Sequence, residues 1–326
     1  MKQRCVRTLC YALLAGWCLL FLRCETTEKS MVRAVYLARQ DERWAVGLVY
    51  QSPEAAADAS DASGALRLAG GSGQTLEAAV AKAENALPQT ADYRLADYVL
   101  FPERTEDAVL SAYEDLVLER DCGRTAARLS CTGFDIEAFL QACEETEDLP
   151  DKLLNKLKAG SAAMPRLYAH TDSMLLPVLL LPEEGEGDLT VSGSGAIRTQ
   201  NGAVRRLTEN ETEAIRLLTG TPGAHTFWLN GQRVTVRRST VSVTLQKQAV
   251  TLRLDCQTAY GTPQPDADQC RQLAELCGQA VQFCWQQGTD LLYLRERSLL
   301  STGSADGFDP AKNACPQLQA DVVFWG

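Results

Sequence analysis

The stretch LRLAGGSGQTLEAAVAKAENALPQ, Leu66 to Gln89, sets a glycine-rich run directly against a helix pattern. Its reading decides whether the first half of the chain is a nucleotide-binding fold or an α/β layer of another kind. A triphosphate loop ends in Gly-Lys-Ser/Thr, because the lysine neutralises phosphate and the hydroxyl holds magnesium. Here the turn is Gly73-Gln74-Thr75, and Gln74 carries no charge. A dinucleotide loop needs Gly-x-Gly-x-x-Gly directly after a strand. Gly71-Ser72-Gly73 lacks the third glycine and follows a long Ala/Ser/Asp stretch. The pattern therefore predicts a mobile loop over Ser52–Gly73 that feeds a capped helix. Thr75 suits the cap and Glu77 the first turn, where the helix dipole favours negative charge. Leu76, Val80, Ala83 and Leu87 recur at helical spacing and predict a face on a core.

Strand and helix patterns alternate outward from this point. Val32–Tyr36 and Trp44–Tyr50 flank Arg39-Gln40-Asp41-Glu42 and read as a hairpin. Asp97–Phe101 reads as a strand stopped by Pro102, Thr105–Glu119 as a helix, Arg124–Cys131 as a strand. Asp135–Glu145 and Pro150–Lys158 read as helices, and Ser173–Leu181 as one buried strand ending at Pro182. Strands alternating with helices predict an α/β N-terminal domain.

The acidic stretch Glu183–Asp188 is the expected boundary. Beyond it, Asn201-Gly202 and Asn230-Gly231 signal hairpin turns, and a third hairpin is expected around Gln246-Lys247-Gln248. Thr208-Glu209-Asn210-Glu211 is a capping box that opens a helix. A long helix is expected over Asp266–Gln287 and a final strand over Leu318–Trp325. The expected fold class is thus α/β and α+β, with multi-domain mixed sheets, packed helices and a mainly antiparallel C-terminal half. The expected domains are a leader at 1–24, an α/β domain at 25–186 and an α+β domain at 187–326, the last divisible near 220–240.

The leader differs from the rest. Lys2, Arg4 and Arg7 precede an apolar run from Leu9 to Leu22. That is the shape of a secretory signal, and it is short for a spanning helix of about 20 residues. Cys24 follows the run as the candidate lipid-attachment residue, although Leu22 and Arg23 stand where a lipoprotein signal has small residues. The alternative is that the leader stays in place as an anchor. The net charge of −10 disfavours nucleic-acid backbone as a partner. Val204-Arg205-Arg206 and Val236-Arg237-Arg238 read as solvated strand faces.

Catalytic signals are lacking. His170 and His225 stand alone, with no Gly-x-Ser-x-Gly elbow and no His-Glu-x-x-His helix. Of the 12 cysteines, Cys5, Cys10, Cys18 and Cys24 lie in the leader. Cys270, Cys277 and Cys284 recur every seven residues, about 10 Å apart on one helix face, too far to bridge one another. With Leu273, Ala280 and Val281 they read as a packing stripe, and the absence of Cys-x-x-Cys disfavours zinc and thiol redox chemistry. No catalytic residue, cofactor or metal is expected.

The order of these motifs carries a resemblance. GQTLEAAVAKAENALP is followed by ADYVLF, PVLLLP, LTVSGSGAIRTQNGAVRRLTENETEAIRLLTG, VTLRLDC, the long helix, TDLLYL and QLQADVVFWG. This resembles the C subunit of spore germinant receptors, the Ger(x)C-type lipoproteins of endospore formers. In that family a hairpin and helix open the C-terminal part, here Gly195 to Ala214, and an Asp follows the long helix, here Asp290. The resemblance implies a non-enzymatic subunit at the outer face of the cytoplasmic membrane, without a cofactor. Its implied partners are two integral membrane subunits and, through the N-terminus, membrane lipid. The competing reading is an exported solute-binding lipoprotein that captures a small ligand between two lobes.

Overall fold

The structure is a computed structural model that describes residues 29–40, 42–51, 66–103, 105, 109–120, 122–161, 164–168, 174–182, 189–198, 204–246, 249–305 and 307–325. The leader with Cys24, the acidic stretch 183–188, the Asn201-Gly202 turn and His170 lie outside these residues.

The first sheet grows from a hairpin. Strands β1 (Ser30–Gln40) and β2 (Arg43–Gln51) pair antiparallel, as expected, and extend into the polar residues between them. Strand β3 (Leu66–Gly73) pairs antiparallel with β2. This corrects the expected loop, since its last eight residues form the edge strand. Helix α1 (Leu76–Asn85) begins where predicted, with the Thr75 hydroxyl accepting from the Ala78 amide. The glycines serve the contact between strand and helix. A β-carbon on Gly73 would lie 2.8 Å from the Ala79 nitrogen, and one on Gly71 would run into the backbone of Ala79 and Ala83. The glycines of this stretch thus let the helix pack directly on the strand.

Three parallel strands extend the sheet on the other side of β1: β5 (Tyr98–Pro102), β6 (Arg128–Thr132) and β8 (Val178–Leu180). The short β4 (Ala91–Asp92) pairs with the start of β1. Helices α2 (Val109–Arg120), α3 (Ile136–Glu145) and α4 (Leu149–Gly160) complete the layer. Along β1 the side chains alternate between two cores. Val35 and Leu37 pack with α1 and α2, whereas Ala34, Tyr36 and Ala38 pack with α3 and α4. The sheet is thus covered on both faces. Tyr36 is fully buried, and its hydroxyl donates to the Phe134 carbonyl at 2.8 Å.

Ser173–Leu181, expected as one strand, is two. Strand β7 (Met174–Leu176) and β8 flank Pro177 and belong to different sheets. Proline has no N–H for a ladder, and its carbonyl here accepts from the Cys131 amide at 2.9 Å. After the acidic stretch, β9 (Thr190–Val191) returns to pair with β8. Strands β10 (Ala196–Arg198) and β11 (Val204–Arg206) form a three-stranded antiparallel sheet with β7. This small sheet lies between two cores. Ala196 and Val204 are buried with the first sheet, and Ile197 is buried with the second.

The remaining elements build an α+β half. Helix α5 (Glu209–Leu218) opens with the predicted capping box. Strand β12 (His225–Leu229) turns at Asn230 and Gly231, both with positive φ (51° and 73°), into β13 (Gln232–Gln246). The second and third expected hairpins share this one 15-residue strand, which continues into β14 (Ala249–Thr258). Helix α6 (Ala267–Gln286) packs on the sheet, capped by Asp266 and Gln269. Helix α7 (Leu294–Thr302), absent from the sequence reading, follows. Strand β15 (Gln317–Trp325) runs parallel to β14 in a sheet that is otherwise antiparallel. Cys277 and Cys284 are fully buried under this sheet, while Cys270 is half-buried. The class is a mix of α/β and α+β, as read from the sequence. Among the described residues no helix is long and apolar enough to cross a membrane.

Candidate functional site

The hairpin and helix picked out by the motif order, Gly195 to Ala214, lie at the junction between the two halves. Gly195 immediately precedes β10, at a point where a β-carbon would meet the Leu176 carbonyl at 3.0 Å. Its amide donates to the Thr212 hydroxyl at 2.7 Å, and that hydroxyl donates to the Thr208 carbonyl at 2.8 Å. The hairpin is thereby fixed to the first turn of α5. The box at Thr208 and Glu211 satisfies two further amides of that turn: Thr208 N donates to Glu211 at 2.8 Å and Glu211 N to Thr208 Oγ1 at 3.2 Å.

Arg206, at the end of β11, ties this motif to the first sheet. Its guanidinium pairs with Glu103, which follows β5, and donates to Ser192 Oγ and Ser194 Oγ at 2.8 Å each. The sequence reading of Arg206 as a solvated face is corrected here. The side chain is mostly covered, and burial pulls its pKa down. Arg237 and Arg238 do sit on an exposed face.

On the other side of α5, Glu213 receives His225 Nδ1 at 3.0 Å and Arg216 at 2.8 Å. The other ring nitrogen of His225 lies 3.1 Å from the Thr221 carbonyl, so this buried histidine has a partner on each side. Burial pushes Glu213 up, but the hydrogen bonds from His225 and Arg216 outweigh it and hold the carboxyl below its ordinary value. His225, which no sequence motif picked out, thus ties β12 to α5.

Asp290 is buried at the far end of the same half. Its carboxylate accepts from the Arg295 amide at 2.8 Å and its carbonyl from the Tyr293 amide at 3.2 Å. These bonds hold the turn Leu291–Tyr293, in which Tyr293 is left-handed at φ 54°, and launch α7. The turn walls a shallow cleft of about 380 Å³ with Leu218, Val241, Val243 and Arg297.

Chemically, two charge clusters join elements: Glu103–Arg206 ties the small sheet to the first sheet, and Glu213–His225 ties α5 to β12. No group of three or more His, Cys, Asp or Glu side chains converges for a metal among the described residues. The eight described cysteines are free thiols. Burial pushes Cys256, Cys277 and Cys284 up to about 12, well away from nucleophilic thiolate. The Arg206 contact had no local signal, since its carboxylate partner is 103 residues away.

No family model matches the chain, and no curated protein matches it. Among solved structures, the crystal structure of the GerBC protein is similar, with a TM-score of 0.46 and 10% sequence identity. The match covers 92% of this chain and 99% of that one.

Proposed function

We propose that this chain is a non-enzymatic, membrane-associated subunit of a spore germinant receptor of the Ger(x)C type, needed for germination in response to nutrients. The observation that carries the reading is the order of its motifs, from GQTLEAAVAKAENALP through Gly195–Ala214 to Asp290. The use of their residues as joints supports it. Gly195 is locked to Thr212, and Asp290 launches α7. In this reading the leader delivers the body to the outer face of the cytoplasmic membrane. Cys24 is the residue that takes lipid, two integral membrane subunits are the partners, and the domains divide near the acidic stretch at 183–188.

Deletion of the gene in its spore-forming host tests the reading. Nutrient-triggered germination is expected to fail while spore yield and nutrient-independent germination stay normal. Normal nutrient germination with loss of uptake of one small solute would overturn it in favour of a solute-binding lipoprotein. Membrane attachment is tested separately with a fatty-acid analogue. Wild type is expected to take label and Cys24→Ala to lose it; equal labelling would leave the leader as the anchor.

A further inference from the structure

Strand β15 is the outermost strand of the four-stranded sheet, and among the described residues no strand pairs with its far side. It pairs with β14 over nine consecutive residues without a register shift. Alternate backbone N–H and C=O groups therefore point away from the sheet along its whole length. Soluble proteins usually blunt such an edge with lysine, proline, a bulge or a very short strand. Here the strand reads QLQADVVFW, with Asp321 its sole charge. Val323 and Trp325 are 38% and 47% exposed on the face away from α6. On the α6 side, Leu318, Ala320 and Phe324 are only half-buried.

A groove runs beside this edge. It measures about 330 Å³ and lies between α6 and the start of β15, lined by Glu275, Gly278, Gln279, Gln282, Cys315 and Leu318. A β-carbon on Gly278 would meet nothing within 4 Å, so the helix leaves room there for a side chain from elsewhere. The two features coincide: a strand added to β15 would set alternate side chains over the groove.

We propose that the β15 edge and the α6 groove accept an extended segment of a partner polypeptide by β-strand addition. The segment carries apolar side chains at alternate positions facing α6 and basic or neutral ones on the opposite face, beside Asp321. Main-chain hydrogen bonds hold such a segment and the groove selects its side chains. A second copy of this chain fits less well. Two-fold antiparallel pairing centred on Asp321 sets the two carboxylates directly opposite, and centring on Val322 sets Asp321 against Val323.

The test titrates the full chain with synthetic peptides that alternate Val with Lys, or Val with Asp, while amide exchange is followed by mass spectrometry. The Lys-bearing peptide is expected to bind and to slow exchange across Gln317–Trp325, and the Asp-bearing one to bind more weakly. Gly278→Leu is expected to weaken binding by about tenfold with no fall in Tm. Gln282→Trp, at an exposed position on the same groove, provides a second filling variant should the first fail to fold. Lack of binding by both peptides, equal binding of the two, or binding indifferent to both variants overturns the proposal. So does slowed exchange at β12 instead, or a concentration-dependent dimer with β15 already protected.

Discussion

Gly71 of β3 lies against Ala83 of α1 so closely that a β-carbon on the glycine would run into the alanine backbone. Gly71→Ala should therefore destabilise the chain by about 1–3 kcal/mol, the usual cost of overpacking, or more because the obstacle is backbone. Gly278→Ala, with open space around it inside a helix, should stabilise by about 0.5–1 kcal/mol. Urea midpoints of the two variants check both, and equal shifts would mean that α1 can slide off the edge strand.

The cysteine stripe gives a second expectation. Cys277→Ala and Cys284→Ala should each cost on the order of 1 kcal/mol, as small core truncations do. An Asp at either position should cost far more, since it buries an unpaired charge. With their pKa values pushed up to about 12 by burial, both thiols should alkylate slowly in the native state at pH 8 and fully after unfolding without reductant. Protection that persists after unfolding would reveal a bridge.

The carboxyl of Glu213 sets a pH dependence. Its folded pKa lies below its ordinary value of 4.5, so the stability it contributes is present above that value and is lost as pH falls through the folded pKa. Wild type should therefore exceed Glu213→Gln in stability at pH 6–7, and the gap should close as the medium is acidified below the ordinary carboxylate range. A gap that does not change with pH would mean that Glu213 acts through packing alone.

Arg206 and Glu103 should couple weakly but measurably. Both side chains are about 30% exposed, so solvent screens the pair, and a double-mutant cycle of Arg206→Met with Glu103→Gln should return about 0.5–1 kcal/mol. Arg206→Lys should not restore the wild-type value, because an ammonium cannot reach Glu103 and both serines in the same planar fork. Full recovery in the lysine variant would reduce the contact to simple charge.

Features set by neighbouring residues were legible in the sequence. Thr75 and Thr208 cap their helices, and Asn230-Gly231 makes its turn, because each acts within a few residues of itself. Strand β3 was not legible, because glycine has poor strand propensity and Gly71 is there for a helix that lies later in the chain. Helix α7 was hidden too. It starts from a left-handed Tyr293 whose own side chain makes no cap, its first-turn amide at Arg295 being taken by Asp290 instead, and it buries little more than Leu294 and Ser298. The role of Arg206 depends on residues from three separate segments, which no local pattern exposes. For the candidate site, the motif residues Gly195 and Asp290 could be picked out in advance, but the contacts that give them work could not.

The handover at Pro177 bears on how this chain can change its length. Leu176 and Val178 are both fully buried, one in the small sheet and one in the large, with a single residue between them. Side chains alternate faces along a strand, so one residue inserted there would turn the inward set of β7 or β8 outward. Drift in length is thus forbidden at this point, and related sequences should align across Leu175–Leu179 without gaps even where little else aligns.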